Sequence, residues 1–208
     1  MQQVYWRRPS AGSEESTVDV CKWIHFLEMR HDRAGRPIIG LLEPPEVREG
    51  GWYRLPLRSF NESELPTATQ GQYGRVSEWV RAWHGSKVEA LYSILYHNTL
   101  IVGHRFKQNA PGIYVHKDDT MDKVLSSVSF VQLFGDGVYW ATVWELRVDR
   151  SARVPAAKMK TDQWIQTDRS VRLAALWLCG KTRETMEPGW TVQHCWNGDL
   201  EAHPQVPK

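Results

Sequence analysis

Two stretches constrain the fold of this chain more than anything else in it. Residues 138–148 (VYWATVWELRV) alternate and are rich in Val, Trp and Tyr, side chains that pack well on a pleated surface. Residues 171–179 (VRLAALWLC) are apolar almost throughout, the pattern of a strand covered on both faces. Both are expected as strands, the second of them central. The apolar run within it, 173–179, is the longest in the chain. It falls far short of the roughly 20 residues a membrane-crossing helix needs, so no membrane partner is expected.

The other elements are shorter. Ser86 precedes a helix over 87–97, where Val88, Leu91, Tyr92 and Leu95 form one apolar stripe. Ser86 and Glu89 have the spacing of a capping box, and Asn98 is the stop. A second helix is expected over 118–125, capped by Asp118 or Asp119, with Met121, Val124, Leu125 and Val128 inward. Residues 113–115 read as a strand, 135–137 as a turn, 103–111 as a loop and 190–196 as a last strand. Residues 75–83 read as a helix running into a strand. The first part of the chain is less regular. Residues 18–29 fit a strand or a helix, with Val20, Trp23, Ile24 and Leu27 at 3–4 spacing. Residues 32–36 read as a turn and 37–42 (PIIGLL) as a short buried strand. Residues 44–72, rich in Pro, Gly and Ser, read as loop or linker with only 52–57 ordered. The expected division is an N-terminal extension over 1–72, a domain over 73–200 and a loose tail over 201–208. Several strands separated by two short helices, without regular βαβ alternation, agree with an α+β fold.

Hydrophobic residues make up 41%, enough with the glycines to exclude wholesale disorder. Trp140, Trp144 and Trp177 sit at strand spacing and are read as core. The 26 Lys and Arg against 24 Asp and Glu give an isoelectric point near 8.4, below the basic footprint of a nucleic-acid-binding domain, about 9. Cys21, Cys179 and Cys195 form no CxxC pair and are read as buried thiols. His25, His31, His97, His104 and His194 lack ligand spacing, so no metal is expected. Residues 1–16 are polar and carry Arg7, Arg8, Glu14 and Glu15. That is no secretory signal, so an intracellular setting, cytoplasmic or nuclear, is expected.

Two segments carry chemistry. Trp83-His84-Gly85-Ser86 lies at the end of a candidate strand, directly before a helix. Pro111-Gly112-Ile113-Tyr114-Val115 follows the next loop and leads into the second helix. A glycine after a histidine lets a ligand approach the backbone, which offers N–H and C=O side by side. Gly85 can therefore read a carboxamide, His84 can bond a sugar hydroxyl, and Tyr114 can stack on a flat ring. His116 and Lys117, just beyond, are read as a solvated turn with the option of touching a diphosphate.

These segments, in this order, resemble the diphtheria-toxin-like ADP-ribosyltransferases, most of all the catalytic domain of the poly(ADP-ribose) polymerases. The resemblance covers about residues 76–180. It implies a split β-sandwich of two small sheets with short flanking helices, and NAD as co-substrate. It implies that His84 holds the adenosine-side ribose, Gly85 clamps the nicotinamide carboxamide with Ser86 in support, and Tyr114 stacks on the nicotinamide, with Gly112 opening that second motif. The family's third motif places a glutamate on a later strand. The closest segment here is Gln163-Trp164-Ile165-Gln166, which puts Gln163 at that position, with Gln166 as a rival. A neutral amide bonds a ribose but carries no charge to stabilise an oxocarbenium ion. Glu145 and Glu201 are the carboxylates that can substitute. The resemblance therefore implies mono-ADP-ribosyl transfer to a protein or nucleic-acid acceptor, with release of nicotinamide. The alternatives are an inactive NAD- or ADP-ribose-binding module, and an RNA 2′-phosphotransferase recruiting Arg81, His84 and Arg105.

Overall fold

The structure, a computed structural model, describes residues 20–66, 78–100, 112–125, 128–154, 162–186 and 191–194. In chain order, α1 spans Cys21–Glu28, β1 Glu46–Arg48, β2 Trp52–Pro56, β3 Trp79–Ser86 and α2 Val88–His97. Then come β4 Ile113–Lys117, α3 Met121–Leu125, β5 Ser129–Gln132, β6 Tyr139–Asp149, β7 Gln163–Gln166, β8 Val171–Lys181 and β9 Thr191–His194.

β6 and β8, the two strands that dominate the sequence, pair antiparallel from Tyr139↔Lys181 to Val148↔Val171. They lie inside a sheet of order β1-β2-β8-β6-β3-β4-β7, with β5 joining β6 and β9 joining β5. Every described pairing is antiparallel except β5 with β9. With few and short helices among the described residues, the fold is α+β. The two small sheets of the sequence reading are here one hydrogen-bonded sheet. The join is narrow: β3 pairs with β6 from Trp79 to Ser86, but with β4 only at Ala82↔Lys117 and Trp83↔His116. No helix among the described residues is long and apolar enough to cross a membrane.

Each face of the sheet has its own core. On one, Ala82, Trp140, Trp144, Leu146, Leu176 and Leu55 pack under Trp23 and Leu27 of α1 and Leu91 and Leu95 of α2. Trp140 and Trp144 are wholly buried, as their spacing suggests. On the other face Trp83, Val143, Phe130 and Cys179 lie under Val124 of α3. Trp177 is half-buried on that second face, edge-on to Trp83 and Trp52. Residues 20–66 thus supply the edge strand β1, its inner neighbour β2 and core side chains to the same sheet as the other described strands.

Several local readings change. Residues 18–29 resolve to a helix, α1. Residues 37–42 form a 3-10 turn over Ile38–Leu41, because Gly40 N–H and Leu42 N–H bond back to Pro37 and Ile39. An apolar run without alternation satisfies either geometry. The 44–72 stretch holds β1 as well as β2. Ser86 ends β3 rather than capping α2. The helix starts after Lys87 with no side-chain cap, because the Ser86 hydroxyl accepts from the Trp144 indole at 3.2 Å and meets Thr142 at 3.3 Å. Asn98 ends α2 with φ 51°, a conformation asparagine tolerates. Asp118 opens a 3-10 turn ahead of α3 and takes the Arg81 guanidinium. Cys179 is buried, its thiol pushed up to about 12 by burial, but Cys21 is exposed, since its place on α1 faces away from the sheet. Cys195, Glu201, Arg105 and the 103–111 loop lie outside the described residues.

One buried charge ties the early strands to the centre. Glu145 of β6, 3% exposed, accepts from Arg54 of β2 at 2.7 and 3.3 Å, from the Trp177 indole at 3.0 Å and from Arg147 at 3.4 Å. Burial alone would raise its carboxyl, but Arg54, Trp177 and Arg147 together hold it below the usual 4.5. A depressed acid stabilises the fold above its unfolded pKa and loses that contribution as pH falls through the folded value. Arg54→Ala leaves the carboxylate short of its main partner, so unfolding free energy at pH 7 should drop by about 3 kcal/mol. Urea titrations from pH 7 to acid should show a smaller acid-side loss in Arg54→Ala than in wild type. An equal loss in both would assign the pH dependence to other groups.

Candidate functional site

The site begins where β3 and β4 part. The Lys117 N–H donates to the Asp162 carbonyl on the β7 side, at 3.1 Å. Peptide groups alternate along a strand, so those of His116 and Tyr114 face β3. The Tyr114 carbonyl does so: it accepts from His84 Nδ1 at 2.7 Å. By the same alternation across Trp83↔His116, the N–H and C=O of Trp83 face β4, and so do those of Gly85. The β3–β4 register ends at Trp83. Gly85 therefore turns one donor and one acceptor into the mouth of the split, and its missing side chain leaves both approachable.

His84 is half-buried. Burial pushes its imidazole below the ordinary 6.5 and nearby His116 adds to this, while the bond to the Tyr114 carbonyl works the other way. The carbonyl can only accept, so Nδ1 carries the proton and Nε2 presents a lone pair. A neutral imidazole held in that tautomer is an acceptor for a hydroxyl. Ser86, 8% exposed, is bound to Trp144 and Thr142 beneath Gly85 and holds the strand end rather than facing outward. Gly112 is a close-approach glycine: a Cβ there would stand 2.3 Å from Ile165 Cγ2 and 2.9 Å from the Gln166 carbonyl. Its place is to let β4 meet β7, and no ligand contact is needed to explain it.

Gln163 lies on β7, the neighbour of β4, in register with His116; Tyr114 pairs with Ile165. Alternation puts Tyr114, His116 and Gln163 on the face of Trp83, and His84 on the face of Ala82 and Ser86. The three expected site residues thus flank the split rather than share one face. His84 touches the Tyr114 backbone, and among the described residues no hydrogen bond joins it to Gln163.

Sequence reasoning missed the partner of Gln163. His116 is 7% exposed, a strand residue and not a solvated turn, and its Nε2 lies 3.1 Å from Gln163 Nε2. The Asp162 carboxylate stands 3.9 Å from His116 Nδ1 and 3.6 Å from Lys123 Nζ. Burial would raise Asp162, but its own backbone amide, Lys123 and His116 bring it below 3.8, so it is an anion. The imidazole tautomer sets which of the two nitrogens donates in the Gln163–His116 contact. The Gln163 side-chain oxygen takes no hydrogen bond among the described residues. The signal was available: His116 is two residues past Tyr114, the strand period.

Glu145 does not substitute for a carboxylate here, because all its bonding goes to Arg54, Arg147 and Trp177. Gln166 is wholly buried and its side-chain oxygen accepts from Ser170 at 2.9 Å, so the rival position faces the core. Arg81, on the Trp83 face, is paired with Asp118. Lys117 lies over the Trp164 ring at 5.6 Å. Among the described residues no group of three or more His, Cys, Asp or Glu is placed to hold a metal ion. No protein-family model and no curated protein matches the chain.

The His84 geometry has a direct consequence. An unfolded imidazole takes a proton near 6.5 while the folded one resists it, so His84 stabilises the fold above that pH and withdraws the contribution as pH falls. A nitrogen-15 NMR pH titration should find His84 Nδ1-protonated throughout and taking its second proton below the ordinary midpoint. A midpoint at or above the ordinary one would contradict the burial of the ring, and a neutral ring protonated at Nε2 would contradict the bond to Tyr114.

Proposed function

We propose that this chain is an NAD-dependent ADP-ribosyltransferase that moves single ADP-ribose units to a protein or nucleic-acid acceptor in an intracellular setting. On this reading, the sheet parting at Trp83↔His116 is the mouth of an ADP-ribosyltransferase-like split sandwich. The observation that carries it is the alignment of Gly85 at that split, with its donor and acceptor side by side, a neutral His84 behind it and Tyr114 on the facing strand. A nicotinamide carboxamide needs one acceptor and one donor. An adenosine-side ribose hydroxyl needs an acceptor, which His84 Nε2 supplies.

In the reaction, the bond between nicotinamide nitrogen and ribose C1′ breaks, and nicotinamide leaves with the bonding pair. Gly85 holds its carboxamide and Tyr114 its ring, fixing the leaving group in line. Gln163, held beside His116, accepts from a ribose hydroxyl through its side-chain oxygen and lends partial negative charge to the oxocarbenium ion. The acceptor's lone pair then bonds C1′ and its proton passes to solvent. Gln163 brings no full charge and no base, so repeated elongation into a polymer is not supported.

The same neutral Gln163 favours a second reading, a module that binds NAD or ADP-ribose without turning it over. The RNA 2′-phosphotransferase reading has less behind it, since Arg81 is spent on Asp118.

Nicotinamide release from NAD separates these readings. Wild type should release nicotinamide slowly. His84→Ala should lower release by about 10²-fold and Tyr114→Ala by about tenfold, while Gln163→Glu should raise it by about tenfold or more. NAD binding without release, even in Gln163→Glu, would select the binding module. A folded protein that neither binds nor cleaves NAD would overturn the proposal.

A further inference from the structure

Away from the split, a cleft of about 480 Å³ opens between the turn after α1 and the end of α2. Its walls carry Arg33, Arg36 and Arg58 with His97 and Tyr96, against a single carboxylate, Asp32. That carboxylate is buried and already committed. Asp32 accepts the backbone amides of Ala34 and Arg36 at 2.9 and 2.8 Å, and its other oxygen takes Arg36 Nε and Nη2 at 2.8 and 2.7 Å. These bonds and the turn amides hold Asp32 below 3.8 against the opposing effect of desolvation. They fix the turn and spend the Nε–Nη2 edge of Arg36 on Asp32.

Arg58 is fixed in a similar way. Its Nε donates to the Leu42 carbonyl at 3.0 Å and lies 3.4 Å from Glu43, which leaves its two terminal nitrogens to point elsewhere. Arg33 is exposed and has no hydrogen bond or ion pair among the described residues. The C-terminal carbonyls of α2, which would repel an anion, are partly covered: Asn98 N–H takes those of Ile94 and Leu95, and Thr99 N–H that of Ile94. The Tyr96 and His97 rings meet edge-on at 4.9 Å in the same wall.

The geometry points to this cleft as a binding site for a phosphate-bearing ligand. Arg58 is held in advance with two terminal nitrogens left over, Arg33 stands uncommitted among the described residues, and Arg36 keeps only Nη1 beyond its pair with Asp32, so the first two carry the site. Planar forks suit phosphate oxygens better than they suit a point anion. The volume lies in the range of small-ligand sites, about 300–1,000 Å³, and the ring pair gives a flat group attached to the phosphate a surface. The site stands on the fold alone and is independent of the activity proposed above.

The test uses the full chain and inorganic pyrophosphate, followed by calorimetry and by the side-chain Nε–H signals of the arginines. Pyrophosphate should shift the signals of Arg33, Arg36 and Arg58. Arg33→Gln should weaken binding by about tenfold without changing thermal stability, and Arg33→Lys should recover part of the loss. A second arm compares ADP with pyrophosphate. An Arg33-dependent gain for ADP assigns a nucleotide source, and equal affinity assigns a free phosphate ligand; both uphold the site. No binding at about 10 mM, or binding that Arg33→Gln and the Arg33→Gln/Arg58→Gln pair leave unchanged, would overturn it.

Discussion

Everything at the site depends on a two-residue pairing. β3 and β4 hold each other at Ala82↔Lys117 and Trp83↔His116 and then part. If the register ran on, Gly85 would spend its peptide groups on the ladder, and the split would be ordinary sheet. Instead a side chain replaces the next rung: His84 Nδ1 donates to the carbonyl of Tyr114. The replacement satisfies that carbonyl, keeps the strands in place and sets the imidazole tautomer in one step. The same hydrogen bond thus belongs to the fold and to the proposed chemistry, which is why the proposed function reads from the backbone before it reads from any side chain.

The rest of the molecule holds that parting steady. On one face α1 and α2 press on Trp140, Trp144 and Ala82, and Ser86 is anchored to Trp144 and Thr142 directly beside Gly85. On the other face Glu145 gathers Arg54, Arg147 and Trp177 and binds β2 across β8 to β6. A buried charge with that many partners is a poor reagent but a firm tie. β7 completes the arrangement from the far side of β4, pressed close enough that Gly112 has no room for a side chain. Gln163 and His116 are held opposite each other by that contact.

How much of this was legible varied with how local its cause is. β6 and β8 declare themselves through composition, and α2 through its apolar stripe, because periodicity is set by neighbours in sequence. Asn98 as a stop is equally local. Ser86 was misread as a cap because the group that claims its hydroxyl, Trp144, is far away in the chain. The 37–42 run was misread because an apolar stretch without alternation fits a tight turn as well as a strand. β1 was hidden in a segment of Pro, Gly and Ser and is ordered through β2 and the distant Glu145. The two short motifs single out His84, Gly85 and Tyr114 as candidates, but do not show that alternation sends His84 and Tyr114 to opposite faces. His116 was within reach of the strand period and was passed over as a turn. The Asp32–Arg36 turn was read correctly as a turn, without a sign that Arg58 and the end of α2 would meet it.

The central claim is that Gly85, unpaired on the β4 side among the described residues, presents a donor and an acceptor to the split. A bound benzamide, a ring with the same carboxamide as nicotinamide and no ribose, tests this most directly by NMR or crystallography. The account predicts the carboxamide on the Gly85 N–H and C=O, with the ring against Tyr114. Benzamide that leaves Gly85 untouched at saturation, or a Gly85 whose peptide groups are paired across to β4, would contradict it.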